Sequence, residues 1–269
     1  MKRINYLFLT AAMLSFAACS NDEGTNNDNN LVEARITASA SRAIDNQWEA
    51  DAIAVTVASS PVSNMKDMYK NVKYTTTSTG TTAEFVAEQN KSIYFQDADE
   101  TVTFTAYGPY NDPNSEGDIL FSTENQNTAE TRKAVDFIYA SGVRASKSSP
   151  TVNFMFKHIM SRLVLKVTAG NGISASDITS GQYFLNGIEL NGKFNANTGA
   201  AQAITSSANQ NQQQYSLNDK VQITPNEADK RTFTVICFPF DYSNKPLEFV
   251  ATVNGQNYTL NLSLNLEGG

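Results

Sequence analysis

His158 is the only histidine of the chain, and histidine is suited to proton transfer because free imidazole titrates near neutral pH. It lies in TVNFMFKHIMSRLVLKV (residues 151–167), between two runs of alternating apolar residues. A Ser-His-Asp triad would have to use it, since the sequence has no second histidine. Bulky apolar neighbours are more typical of a packed strand. We therefore predict a structural His158 at a domain junction, with its ring nitrogens bonded to backbone groups.

The two cysteines indicate different chemistry. Cys237 lies in the apolar segment TFTVICFPF, which is typical of a buried small side chain and not of a thiol in an electropositive setting. Cys19 follows a basic start, an apolar run and the small pair Ala17-Ala18. This order is typical of a signal peptide. It resembles a bacterial lipoprotein box, in which the cysteine is acylated; the alternative is cleavage by ordinary signal peptidase.

The N-terminal segment therefore predicts an anchor. We expect a lipoprotein signal peptide at residues 1–18, lipidation of Cys19 and a flexible tether over residues 19–32. Several acyl chains on one cysteine would hold the protein stably at the outer membrane. The acidic SNDE after Cys19 resembles the signal that exports lipoproteins to the surface of Bacteroidales-type Gram-negative cells.

One loop has part of the pattern of a calcium site. Oxygen ligands stand at positions 1, 3, 5 and 7 of the loop, with glycine at position 6, and they are Asp112, Asn114, Glu116 and Asp118. Position 12 is Thr123, where a calcium loop has a bidentate glutamate. The same residue types build ordinary turns. Calcium and a plain turn both remain open, and the sequence favours the turn.

Enzymatic patterns are missing from the sequence. It contains no nucleophile elbow, P-loop, dinucleotide fingerprint, CxxC or HExxH. We therefore predict no catalytic residue, no other metal and no cofactor. The formal net charge of −7 argues against nucleic acid as a partner, since nucleic-acid binding needs a basic stripe.

Short segments in which apolar and polar residues alternate must position all of these side chains. Apolar residues recur at every second position, which gives each strand one buried face. Such sets are Ile53/Val55/Val57, Val102/Phe104/Ala106, Val152/Phe154/Phe156, Leu163/Leu165/Val167, Phe233/Val235/Cys237, Leu247/Phe249/Ala251/Val253 and Tyr258/Leu260/Leu262/Leu264/Leu266. Asn254-Gly255 between the last two predicts a hairpin, and Asn186-Gly187 and Asn191-Gly192 predict turns. The fold class is all-β, with two tandem antiparallel β-sandwiches at residues 33–158 and 159–269.

Four segments in order resemble the fimbrillin-like family. They are SRAIDNQWEADAIAV (Ser41–Val55), VTFTAYGPY (Val102–Tyr110), DFIYAS (Asp136–Ser141) and FMFKHIMSRL (Phe154–Leu163). The resemblance extends over residues 31–266. It implies transthyretin-like sandwiches, export to the cell surface and assembly into fimbriae (pili) with other fimbrial subunits. It implies no enzymatic activity.

The resulting hypothesis is a fimbrial subunit or accessory lipoprotein that mediates adhesion to host or bacterial surface ligands. The alternative is a non-polymerising surface lipoprotein that binds glycans, which exposed aromatic side chains would favour. The only tryptophan, Trp48, is instead expected in the core.

Two expectations concern the ends of the sequence. Shaft subunits of the family are trimmed by a protease near an N-terminal strand, which makes Arg35 and Arg42 candidate processing sites beside plain surface arginines. The C-terminal Glu267-Gly268-Gly269 resembles a turn, where the family usually continues with another strand. We expect the C-terminal sandwich to lack its last strand and to have an open edge at Tyr258–Leu266. Truncation, which we favour, and an acceptor site for another subunit's strand are the two explanations.

Overall fold

Strands dominate the part of the chain that the computed structural model describes, namely residues 31–39, 48, 51–205, 214–225 and 227–269. This confirms the all-β prediction. Four short helices complete the fold: α1 Met65–Met68, α2 Ala129–Val135, α3 Ala175–Ser180 and α4 Leu217–Lys220. None of the helices in these ranges is long and apolar enough to cross a bilayer. The predicted signal peptide, Cys19 and Arg42 lie outside the described residues.

The first eleven strands build one large sheet and its surroundings. They are β1 Val32–Glu33, β2 Arg35–Ser39, β3 Ala52–Ser59, β4 Val72–Thr75, β5 Thr82–Ala87, β6 Tyr94–Phe95, β7 Thr101–Gly108, β8 Asp118–Ser122, β9 Ile138–Ser146, β10 Thr151–Met155 and β11 Lys157–His158. Eight of them form a sheet in the order β10-β2-β5-β4-β3-β7-β9-β11. The β10–β2 pair is parallel and the other pairs are antiparallel.

The alternating residues of this sheet form the first core, as the sequence predicts. Val102 and Phe104 on β7 are fully buried, and so are Val152 and Phe154 on β10. Since β10 at one end of the sheet and β9 beside the strand at the other end contribute to one apolar cluster, the sheet curves over its own core. Trp48 is fully buried in the same cluster, which confirms its predicted place.

The remaining nine strands form smaller sheets. They are β12 Ser161–Thr168, β13 Gln182–Asn186, β14 Asn191–Asn195, β15 Ala200–Ala203, β16 Lys230–Cys237, β17 Phe240–Asp241, β18 Leu247–Val253, β19 Gln256–Leu262 and β20 Asn265–Leu266. The sheets are β12-β16, β13-β18-β19, β15-β14-β8 and β17-β20. All of the nine strands except β14 and β15 surround a second core. Phe233, Val235 and Cys237 on β16 are fully buried at the centre of this core.

The Asn-Gly pairs behave differently from one another. Asn254 and Gly255 have positive φ angles of 52° and 73° and join β18 to β19, which confirms the predicted hairpin. Gly187 has a φ of 84° and begins the turn after β13. The turn predicted at Asn191-Gly192 is wrong, because both residues open β14. A Cβ at Gly192 would clash with the Gln202 carbonyl and the Phe238 ring, so close packing requires this glycine.

A third apolar cluster joins the two halves of the sequence. β8, from the first half, pairs with β14, from the second. The rings of Phe137 and Phe194 stack at 4.6 Å between centroids. The predicted boundary at residue 158 falls between β11 and β12, but strand pairing and packing cross it. Residues 31–269 accordingly form one compact unit.

Candidate functional site

His158 lies where the first sheet ends, and its partner differs from the prediction. Its Nδ1 is 3.1 Å from Oδ1 of Asp136, and both side chains are about nine-tenths buried. The expected backbone bonds to the ring are therefore wrong: a carboxylate binds Nδ1, and Nε2 has no hydrogen-bond partner among the described residues. The pair ties β11 to the residue that ends α2. This arrangement fits a structural role.

Replacing His158 with glutamine should lower the free energy of unfolding by about 1–3 kcal/mol, because buried Asp136 loses its partner. The amide nitrogen of glutamine takes the place of Nε2, whereas that of asparagine takes the place of Nδ1. His158→Asn therefore serves as the matched control and should be less destabilised. Urea unfolding of the three proteins measures the difference. An unchanged midpoint for His158→Gln together with lost ligand binding would instead assign His158 a functional role.

Cys237 is an inert thiol, as its sequence context predicts. It is fully buried on β16, and its Sγ lies 3.7 Å from the carbonyl oxygen of Ser161. Burial raises the pKa of the thiol to about 12, so the reactive thiolate is scarce at neutral pH.

Three of the four side chains of the calcium hypothesis, those of Asp112, Asn114 and Asp118, have hydrogen-bond partners within the protein. Oδ1 of Asn114 accepts hydrogen bonds from the backbone N–H groups of Glu116 and Asp118, which is a turn geometry. Asp118 binds Lys193 at 2.8 Å and Asn195 at 2.7 Å, and the Lys193 hydrogen bond holds the pKa of the Asp118 carboxyl below its usual value. Asp112 accepts from the hydroxyl of Tyr110. Within the described residues, no group of three His, Cys, Asp or Glu side chains is placed to hold a metal. Calcium binding here stays an untested prediction.

β2 carries the first of the two candidate processing sites. It lies between β10 and β5, and its register places Ile36 opposite both Val152 and Phe85. Ala34, Ile36 and Ala38 are buried in the first core. The Arg35 side chain is exposed. Its backbone N–H donates to the carbonyl oxygen of Pro150 at 2.9 Å, so the backbone at this residue is held within the sheet.

β19 forms a free edge of the second core. Within the part of the chain that the structure describes, it pairs with β18 alone. Its register places Leu260 opposite Phe249 and Tyr258 opposite Ala251, so all four lie on the face that covers the core. Nevertheless Leu260 is 56% exposed and Tyr258 is 49% exposed. The predicted open edge is thus present along Tyr258–Leu262, where core-facing side chains are uncovered. The rest of the predicted segment differs, because Asn265–Leu266 forms β20 and pairs with β17.

β12 forms the facing edge of the opposite sheet. In the described ranges it pairs only with β16. Its inward residues Leu163 and Leu165 are half-buried, whereas the residues opposite them on β16, Val235 and Phe233, are fully buried. This difference in burial indicates that fewer neighbouring atoms pack against the inward side chains of β12 than against those of β16.

An apolar groove of about 400 Å³, which we call the edge groove, opens between β12, α3, β18 and β19. Its apolar lining consists of Val167, Ile173, Ile178, Phe249, Tyr258 and Leu260, with smaller residues beside them. Two edges with unpaired backbone groups beside an apolar groove match what an added β-strand needs. The sequence indicated the β19 side of this site, and it did not indicate the β12 side.

A family model described as fimbrillin-like matches residues 41–269, which is most of the chain. The chain belongs to the fimbrillin-like family. A relative from Bacteroides uniformis, provisionally named fimbrium subunit Fim1C, is 28% identical over 167 residues. That match covers 61% of the present chain and 54% of the relative, so it spans about half the relative's length.

Solved structures share the fold of this fimbrillin-like chain. One, described provisionally as a cell adhesion protein of Bacteroides ovatus, has a TM-score of 0.71 at 24% identity and covers 89% of both chains. Another with the same description, from Bacteroides uniformis, has a TM-score of 0.65 at 21% identity and covers 87% of this chain and 85% of its own.

Proposed function

We propose that this protein is a cell-surface fimbrial subunit or accessory component that mediates adhesion and assembles by strand exchange. Family membership supports the fimbrial role, and the names of the relatives support adhesion and a surface location. The edge groove is the observation that supports strand exchange. The other fimbrial subunits are the proposed partners. The role needs neither catalysis nor a cofactor.

An extended strand from another subunit suits the edge groove for two reasons. Its backbone can bond to the free edge of β12 or of β19, which satisfies groups that are otherwise left to water. Its alternate side chains can cover Val167, Phe249 and Leu260, whose exposure leaves the second core incomplete. Apolar area removed from water stabilises by roughly 25 cal/mol per Å², so a strand that fills the groove should raise stability measurably.

Addition of a peptide copying Glu33–Arg42, the β2 strand with its neighbours, should raise the melting temperature of the mature protein by a few degrees at saturating concentration. The peptide alternates small or apolar residues with polar ones, and binding to the folded state alone stabilises it. The chain's own β2 is tethered in place, so free peptide does not compete for the first sheet. Differential scanning calorimetry measures the shift.

Leu260→Lys provides the test variant, because it places a charge in the edge groove. Leu120→Lys provides the control, since Leu120 is similarly exposed on β8, away from the groove. The peptide should stabilise the control and leave Leu260→Lys unchanged. Equal shifts in both variants, or none in the native protein, would contradict the edge groove as an acceptor site.

The proposed surface location includes an outer-membrane lipid anchor on Cys19. The sequence pattern around Cys19 supports it, and the relatives' names support a surface location alone.

A further inference from the structure

A second concave site lies at one end of the first sheet, far in sequence from the edge groove. It is a cavity of about 480 Å³, formed by the segment from α1 to β4, the connection from β5 to β6 and the residue that follows β7 by two positions. Three tyrosines and three lysines dominate its lining: Tyr69, Tyr94, Tyr110, Lys70, Lys73 and Lys91. We call it the tyrosine–lysine pocket. Its volume is within the range of small-ligand sites.

The tyrosine rings give the pocket firm walls. All three are half-buried, so part of each ring packs on the protein and part faces the cavity. Tyr110 is held on two sides: its hydroxyl donates to Oδ1 of Asp112 at 2.9 Å, and Nζ of Lys73 lies 5.3 Å from its ring centre. Burial, together with the Asp112 hydrogen bond, raises the pKa of Tyr110, which keeps the hydroxyl protonated as a donor.

The pocket carries an excess of positive charge on an acidic protein. Three lysines line it against one carboxylate, Glu88, whereas the whole chain has a formal net charge of −7. Lys91 is 3.8 Å from Glu88. Lys70 and Lys73 have no carboxylate within salt-bridge distance among the residues that the structure describes. Two ammonium groups are therefore free to bind an anion.

We propose that the tyrosine–lysine pocket binds an acidic glycan, that is, a sugar that carries a carboxylate. The apolar face of a pyranose ring stacks on a tyrosine ring. A sugar has an apolar face and a polar edge, and tyrosine accommodates both because it combines an aromatic ring with a hydroxyl group. Lys70 and Lys73 bind the carboxylate. Glu88 and Asn90, which also line the pocket, accept and donate hydrogen bonds to sugar hydroxyl groups.

Charge favours a glycan over a nucleic acid or a phosphate compound. A polyanion would meet the overall negative field of the protein, which slows its approach. A doubly charged phosphate would also face Glu88 inside the pocket. A sugar with a single carboxylate and many hydroxyl groups fits the pocket better. Its carboxylate matches the two free ammonium groups, and its hydroxyl groups match the Glu88 carboxylate and the Asn90 amide.

The inference deepens the proposed adhesive role by naming a ligand class, and it rests on that role only for its biological purpose. The binding itself is independent of strand exchange, because the pocket shares no residue with the edge groove. A failed peptide experiment and a failed glycan experiment therefore disprove different proposals.

Isothermal titration of the mature protein with methyl glucuronide and with 3′-sialyllactose, each of which carries one carboxylate, tests the proposal. The uncharged matches are the methyl ester of the first probe and lactose for the second. We expect at least one acidic probe to bind with a Kd of about 0.1–1 mM, and its neutral match to bind at least about tenfold more weakly. Raising the salt concentration should weaken binding of the acidic probe.

Lys73→Gln removes one ammonium group and keeps a side chain of similar polarity. It should weaken the acidic probe about tenfold, because it removes a charge-assisted hydrogen bond. Lys157→Gln is the matched control, since Lys157 is an exposed lysine on β11 outside the pocket, and should bind as the native protein does. Melting curves check that both variants fold, and Lys70→Gln replaces Lys73→Gln if that variant does not.

Three results would overturn the proposal. These are no binding of either acidic probe at about 10 mM, equal affinity for acidic and neutral probes, or equal loss of affinity in Lys73→Gln and Lys157→Gln. Inorganic phosphate or ATP that binds more tightly than both acidic sugars would also overturn it, in favour of a phosphate site.

Discussion

Replacing Cys19 with alanine is expected to move essentially all of the protein from the membrane fraction to the soluble fraction and to abolish labelling by a radioactive or clickable fatty acid. The reason is that thioether and amide acylation require this cysteine, and a single protein without acyl chains has no comparable membrane affinity. Labelling, followed by fractionation and immunoblotting, measures both effects. Since each buried methylene contributes about 0.8 kcal/mol, the effect should be nearly complete.

Cys237→Ala is the matched control for the anchor, because Cys237 is the only other cysteine and is buried in the second core. It should retain full acyl labelling and membrane association. Its free energy of unfolding should fall by about 1 kcal/mol, because the buried sulfur atom is lost. Acyl labelling that persists in Cys19→Ala, or that is lost in Cys237→Ala, would be incompatible with lipidation at Cys19.

The sequence predicts local features of the fold well, because they depend on neighbouring residues. Alternation at Val102 and Phe104 correctly predicts the buried face of β7, since side chains in a strand point to opposite faces by geometry alone. Asn254-Gly255 correctly predicts a hairpin, because both residues tolerate the positive φ that the turn requires.

Non-local pairing was not predictable in the same way. Nothing near Asp118–Ser122 indicates that this strand pairs with Asn191–Asn195, on the other side of the predicted boundary. The error at Asn191-Gly192 has the same origin: Gly192 is required by the Phe238 ring, which is distant in sequence, and not by a local turn. His158 likewise finds its partner, Asp136, through tertiary packing.

The two candidate sites differ in the same respect. The strand β19 could be anticipated, because its apolar residues alternate directly after the Asn254-Gly255 turn. The tyrosine–lysine pocket could not, because Tyr69, Tyr94 and Tyr110 come from three separate segments with no common spacing. Only the folded sheet brings their rings to one end of the molecule.

Cleavage by an arginine-specific protease after Arg42 is expected to convert the monomer into a species that forms multimers. Once this bond is cut, the segment that contains β2 is held only by non-covalent contacts. These are the pairing of β2 with β10 and β5, the pairing of β1 with β6, and the burial of Ile36 and two alanines. Loss of β2 would leave one unpaired edge on β10, the strand at one end of the eight-stranded sheet, and another on β5. Phe85 and Phe154, nearly or fully buried beside β2, would then become exposed.

A strand from a neighbouring subunit can replace β2 in that gap, because the gap offers backbone partners on both sides. Burying one isoleucine side chain contributes about 1.5–3 kcal/mol, and two small alanines add little, so β2 is a weak occupant of its position. A donor strand with larger apolar residues would displace it. Since Cys19 precedes Arg42, cleavage would also detach the body of the protein from the proposed lipid anchor unless β2 stays bound.

The choice between the two arginines follows from the sheet. The bond after Arg35 lies within β2, paired on both sides, and proteolysis there requires local unfolding. Arg42 follows Ser39, the last residue of β2, by three positions in the sequence. We therefore expect Arg42→Ala to block cleavage and multimer formation and Arg35→Ala to leave both intact, as followed by mass spectrometry and size-exclusion chromatography. If Arg42 is cut cleanly and the product remains a monomer with an unchanged melting curve, β2 is a permanent part of the fold and the edge groove remains the acceptor site to test.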